Sequence, residues 1–144
     1  MSAFFRWAGI AASVALAAGV AAADGFERVT PVRHAATQKE CGECHMAFQP
    51  ALLPAESWTR IMTGLGDHFG EDASLPEALA SEIRAYLVAN AGRGDPTVSR
   101  ISDQPWWQRE HRFSPSVWRQ KEVGSKANCD ACHRQAGQGL YDDD

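Results

Sequence analysis

The chain has 144 residues, 44% of them hydrophobic and 22% charged, with a formal net charge of −4. That length fits one small domain or two very small ones, and a chain of this size buries only a limited apolar core unaided. No basic patch interrupts the sequence, which argues against nucleic acid as a partner.

The first 23 residues read as a signal peptide. Arg6 marks the basic end, an apolar run covers residues 8–20, and Ala21-Ala22-Ala23 precedes Asp24 as a small-residue cleavage site. The run is too short, and too rich in alanine and glycine, for a membrane span. A mature chain starting near Asp24 is therefore predicted in the periplasm, with no stable membrane insertion after cleavage. Loss of Arg6 makes it slightly more acidic, and a protein of that sign is steered towards basic surfaces.

Residues 24–40 show no periodicity and read as an arm containing Pro31 and His34. Cys41-Gly42-Glu43-Cys44-His45 follows, and the pattern returns as Cys129-Asp130-Ala131-Cys132-His133; these two motifs use all four cysteines. A Cys-x-x-Cys-His sequence is the attachment signal for c-type haem. Two thiols one helical turn apart reach the two vinyl groups on one edge of the ring. The next residue then lies under the iron and supplies an imidazole. Two copies predict two covalently bound haem c groups, held by Cys41, Cys44, Cys129 and Cys132, with His45 and His133 as proximal iron ligands. A zinc site would gather four ligands, and a redox dithiol would follow a strand. Neither explains a histidine after the second cysteine both times. Bacteria attach this haem outside the cytoplasm, so motif and signal peptide agree.

The first motif is expected on a short helix that stops before Pro50, with a turn bracketed by Pro50 and Pro54. Residues 57–66 form an amphipathic helix, with Trp58, Ile61, Met62 and Leu65 on one face. Asp67-His68-Phe69-Gly70 makes a short glycine-flanked segment. Ser74 and Glu77 form a capping-box pattern, with Pro76 early in a helix that runs to about Asn90 and buries Leu79, Ile83, Tyr86 and Leu87. These two helices form a hairpin around His68. Gly92, Gly94, Asp95 and Pro96 mark a linker. Beyond it, Asp103 caps a short helix through Pro105, Trp106 and Trp107 that ends near His111. A further turn carries Trp118, Asn128 caps the helix of the second motif, and Asp142-Asp143-Asp144 is a solvated tail. The predicted fold is all-α with extensive irregular structure. It divides into a haem unit at 24–92, a linker at 93–100 and a second haem unit at 101–144. The halves are not tandem repeats, because the motif opens the first and closes the second.

The sixth iron ligand decides the chemistry: an empty position binds small ligands, and a filled one favours electron transfer. Met62 lies on the apolar stripe and reads as core, and Met46 follows a proximal ligand directly. Histidines are the better choice. His68 suits the first haem, since its loop can aim an imidazole inward. His111 suits the second, as the spare histidine of the C-terminal unit. His34 stands as an alternative partner for either iron. Two imidazoles per iron give low-spin sites closed to substrate.

The sequence resembles the small periplasmic dihaem cytochrome c family. The resemblance rests on the two attachment motifs, on Ser57-Trp58 with Ile61-Met62, on His68-Phe69-Gly70-Glu71-Asp72-Ala73 and on Arg109-Glu110-His111. It covers nearly all of the mature chain. It implies two bis-histidine haem units, with His68 and His111 as distal ligands. It also implies a carrier, not an enzyme, that donates electrons to an oxygen-binding monohaem cytochrome c, often alongside a membrane cytochrome b. The competing readings are a small haem peroxidase or reductase, or a redox or gas sensor, each needing one openable iron site.

Overall fold

The structure is a computed structural model that describes residues 28–142. The signal segment and the last two residues of the acidic tail lie outside the described residues. Five short α-helices follow one another: α1 (Ala35–Cys41), α2 (Ala55–Thr63), α3 (Glu77–Ala89), α4 (Pro105–Glu110) and α5 (Pro115–Trp118). Single turns of 3-10 helix and irregular chain join them. Among the described residues the β-pairing is confined to two isolated bridges, Arg28 with Leu140 and His68 with Glu71. The all-α expectation with much irregular structure holds.

The apolar core lies in the first half. Trp58 and Met62 of α2 meet Ala80, Ile83 and Leu87 of α3, with Leu53 beneath them. Ile83 is fully buried and Leu87 nearly so. Full burial of an aliphatic side chain of this size contributes about 1.5–3 kcal/mol. The Trp58 indole N–H, which burial would otherwise strand, donates to the Pro50 carbonyl at 2.8 Å. Both helices start directly after a proline. Pro54 and Pro76 take the N-cap position in extended backbone, and their carbonyls accept the first helical amides. The capping box read from Ser74 and Glu77 does not form. The Ser74 amide instead donates to the Asp72 carboxylate at 2.9 Å, and the helix begins after Pro76 rather than through it. Met62 is core, as its place on the apolar stripe predicts.

Residues 93–100, loose in composition, are fastened along their length. The Ser57 hydroxyl on α2 donates to the Val98 carbonyl at 2.6 Å. Arg60, also on α2, donates to the Ser99 hydroxyl at 3.0 Å and to the Pro96 carbonyl at 2.5 Å. The buried Gln104 side chain closes a two-bond ring with Asp95, at 2.8 and 3.0 Å. Gly92 passes so close to the chain at Ala51 that a Cβ there would fall 1.8 Å from the Ala51 oxygen. This segment is a strap across α2.

The second half has little apolar core of its own. Trp107, Val123 and Ala136 are its buried apolar residues. Two ties bind it to the first half. Gln49, fully buried, donates to the Ala136 carbonyl at 2.7 Å and accepts from the Tyr141 hydroxyl at 2.6 Å. The Val29 amide donates to the Gly139 carbonyl at 2.8 Å. Gly139 has φ +77°, and a Cβ there would lie 2.1 Å from the Val29 oxygen, so the turn and the contact both require glycine.

Candidate haem-binding sites

The first motif starts at the end of α1. Cys41 is the last helical residue, and Gly42, Glu43 and Cys44 turn the chain out so that His45 lies beyond the helix. The second motif opens on a single 3-10 turn, Cys129–Ala131. Asn128 does not cap it through its side chain. Its amide N–H₂ donates back to the Val123 carbonyl at 3.0 Å, closing the preceding loop. Neither motif therefore sits within a continuous helix. All four thiols are unbridged. Burial, helped by Glu40, pushes the Cys41 thiol up, and burial with Asp130 pushes Cys129 up to about 11.

Each proximal histidine has a second imidazole beside it. The His45 and His68 rings lie 6.2 Å apart at their centroids, with planes 27° apart. The His111 and His133 rings lie 6.0 Å apart, with planes at 74°. Two metal–imidazole bonds of about 2 Å each, plus the radii of the two rings, span such a gap. Two ring nitrogens are fixed by the backbone. His45 Nδ1 lies 2.8 Å from the Met46 carbonyl and His111 Nδ1 lies 2.9 Å from the Trp107 carbonyl. Donation from Nδ1 sets the tautomer that carries its lone pair on Nε2, the usual arrangement of a metal-bound histidine. The His133 Nδ1 is buried with no hydrogen-bond partner. Its ring packs edge-on against Tyr141 at 5.5 Å. Burial, followed by the charges of Cys129 and Asp130, raises the Tyr141 phenol, so it stays protonated and keeps donating to Gln49.

His34 is used elsewhere. Its Nδ1 pairs with the Thr37 hydroxyl at 2.9 Å, its Nε2 lies 3.1 Å from Glu82, and its ring stacks on Tyr86 at 4.7 Å. It caps α1 and ties the arm to α3.

His68 sits in a tight turn. Its amide donates to the Glu71 carbonyl at 2.7 Å, and the Glu71 amide returns a bond at 3.3 Å. The two residues between have positive φ, Phe69 at 60° and Gly70 at 105°. This is the backbone of a primed turn, which favours Asn-Gly. Phe69 at its first central position costs about 1–2 kcal/mol. Burial, then the nearby His45 and Arg100, lowers the affinity of His68 for protons and favours the neutral ring a metal needs. His111 is held differently. It stacks face to face on Trp107 at 4.2 Å and 3°, with Phe113 and Trp118 around it. Lys126 lies over Trp107 and Trp118 at 5.5 and 5.8 Å.

The surroundings suit a haem at each pair. The exposed large hydrophobics of the described residues are Phe69, next to His68, and Phe113, two residues after His111. A flat apolar ring at each pair would cover them. Among the described residues no three of His, Cys, Asp and Glu gather as a metal cluster. Two imidazoles per site match the two axial positions of a porphyrin-held iron. The positive φ of Phe69, the role of Gln49 and the strap escaped sequence reasoning. The isolated Phe-Gly after His68 was the one available signal.

The family described as dihaem cytochrome c matches residues 37–141, a span that contains both attachment motifs. No curated protein matches the chain. A solved structure of a dihaem cytochrome c purified from Rhodobacter sphaeroides is 48% identical, with a TM-score of 0.70, over 76% of this chain and 98% of that one. A second from the same organism is 44% identical, with a TM-score of 0.70, over 78% and 99%. A dihaem cytochrome c from Shewanella baltica OS155 is 36% identical, with a TM-score of 0.67, over 75% and 86%. With this match in sequence and fold, and both motifs inside it, the chain belongs to the dihaem cytochrome c family and carries two covalently attached c-type haems.

Proposed function

We propose that the protein is a periplasmic carrier that moves electrons through two low-spin, bis-histidine haems and donates them to another haem protein. Membership of the family makes it a dihaem c-type electron carrier. The observation that carries the finer reading is the pairing of rings, His45 with His68 at 6.2 Å and His111 with His133 at 6.0 Å. The engagement of both His34 nitrogens favours His68 and His111 as the distal ligands.

When bound, each haem supplies a one-electron couple. The protein's part would be to offer each iron two imidazoles, His45 with His68 and His133 with His111, and to hold those rings in place. Carbonyl acceptors hold His45 and His111 in one tautomer. Phe48 stacks on His45 at 4.8 Å, and Trp107 stacks on His111. Imidazoles held in this way would need little rearrangement between the two oxidation states of a haem they ligate, which would favour transfer over ligand binding. The partner we propose is an oxygen-binding monohaem cytochrome c, with a membrane cytochrome b alongside. The resemblance and the acidic balance of the chain support that choice.

The test is the absorption spectrum of the reduced holoprotein with and without carbon monoxide, for the native chain and for His34→Ala, His68→Ala and His111→Ala. The expected result is two low-spin haems that ignore carbon monoxide, with one site opened in each of the last two variants and none in the first. Carbon monoxide binding by the native chain would overturn the carrier reading in favour of a haem enzyme or sensor.

A further inference from the structure

We propose that Arg100 is a positioning residue for the N-terminal haem, clamping the Phe69 ring so that the strained turn keeps His68 on the iron. The inference rests on the reading of His68 as distal ligand. Three independent observations meet at this contact. The first is the turn itself. Phe69 adopts φ 60°, a conformation that side chains rarely take, and it does so next to His68. The ladder bonds between His68 and Glu71, and the Gly70 amide on the Asp67 carboxylate at 3.1 Å, define the turn without securing the Phe69 ring. Phe69 is 44% exposed, so the polypeptide around the turn leaves much of its surface without a neighbour.

The second observation is what lies on the ring. The Arg100 guanidinium carbon sits 4.1 Å from the Phe69 centroid, the geometry of a cation–π contact. The third is how Arg100 arrives there. It is the last residue of the strap, whose preceding residues are bonded to Ser57, Arg60 and Gln104. Arg100 thus reaches Phe69 from a segment fixed to α2, the helix just before the His68 turn. A relaxed turn would move His68 away from His45, so a clamp on Phe69 acts on the iron ligand through one residue.

The experiment uses the full-length holoprotein with Arg100→Ala, Arg100→Lys, Phe69→Ala and the Arg100→Ala/Phe69→Ala double variant. His68→Ala serves as the open-site control. Two readings are taken on each: the rate of carbon monoxide binding to the reduced protein, and the reduction midpoint of each haem. Arg100→Ala is expected to admit carbon monoxide at one haem at least about tenfold faster than the native chain, on the scale of a partly desolvated cation–π contact. Arg100→Lys keeps a cation over the ring and should recover most of the resistance. The double variant should be no worse than the worse single one, because the two residues act through each other. An Arg100→Ala protein as closed as the native chain, or a strictly additive double variant, overturns the clamp. A native chain whose N-terminal haem already binds carbon monoxide, or a His68→Ala protein that stays closed, overturns the ligand reading beneath it. A shift in the midpoint of the N-terminal haem alone, with unchanged carbon monoxide resistance in every Arg100 variant, also counts against the clamp.

Discussion

The two halves of the chain, each with one attachment motif, are built on different principles. The first has a conventional apolar core between α2 and α3, to which its haem site is attached through the His68 turn. The second has hardly any such core. Its aromatic residues Trp107, Trp118 and Phe113 gather around His111, and its chain runs in short turns from Val123 to Gly139. The first unit holds a haem; the second is organised about one. A small domain short of apolar area needs a staple, and here the cofactor takes that part.

The sharpest way to break this comparison is to remove the attachment chemistry from one unit at a time. Cys129→Ser with Cys132→Ser is expected to abolish amide protection across α4, α5 and the second motif. Protection in α2 and α3 should survive. The matching Cys41→Ser with Cys44→Ser variant should lose its haem yet retain the α2–α3 hairpin. Hydrogen exchange resolved by segment reads both. Equal loss of protection in the two variants would mean that the units do not differ in this way.

A smaller effect is expected from the core itself. Ile83→Ala removes a fully buried side chain from the first unit and should cost about 2–5 kcal/mol in denaturant unfolding. Its haem spectrum should match that of the native chain, since α3 carries neither an attachment motif nor a histidine.

The smallest effect lies in the strap. The Asp95 carboxylate accepts from the Thr97 hydroxyl at 2.6 Å and from the Thr97 amide at 2.8 Å, which holds its pKa below the usual value. Folding therefore favours the ionised form. This contribution is complete above the ordinary carboxylate range and is lost as pH falls through the lowered value. The Thr97 amide resonance should shift across that acid window in the native chain. In Asp95→Asn the shift should disappear.

The two attachment motifs were legible in the sequence because covalent chemistry fixes their spacing, and the structure sets His68 beside His45 and His111 beside His133. Cys-x-x-Cys-His leaves no freedom, and outside the two motifs the sequence holds three further histidines, His34, His68 and His111. The α2–α3 hairpin was legible from Trp58, Met62, Ile83 and Leu87 at helical intervals. The strap was not. Ser57, Arg60 and Gln104 hold it largely through backbone carbonyls and amides at Val98, Pro96 and Asp95, and such acceptors exist in every residue alike. Asn128 and Ser74 show the same limit. Both carry the right side chain for a cap, but the groups they meet lie in a loop that only the folded chain defines.

The pairing of Val29 with Gly139 has a consequence for how the molecule is made. Synthesis delivers Val29 early and Gly139 near the end. The α2–α3 hairpin, whose contacts are local, can form while the rest is still arriving. The arm cannot find its carbonyl partner until the second Cys-x-x-Cys-His sequence has already emerged. For that interval the second pair of thiols belongs to a segment not yet clasped by the arm. Closure of the arm over the tail is therefore later than formation of the α2–α3 hairpin.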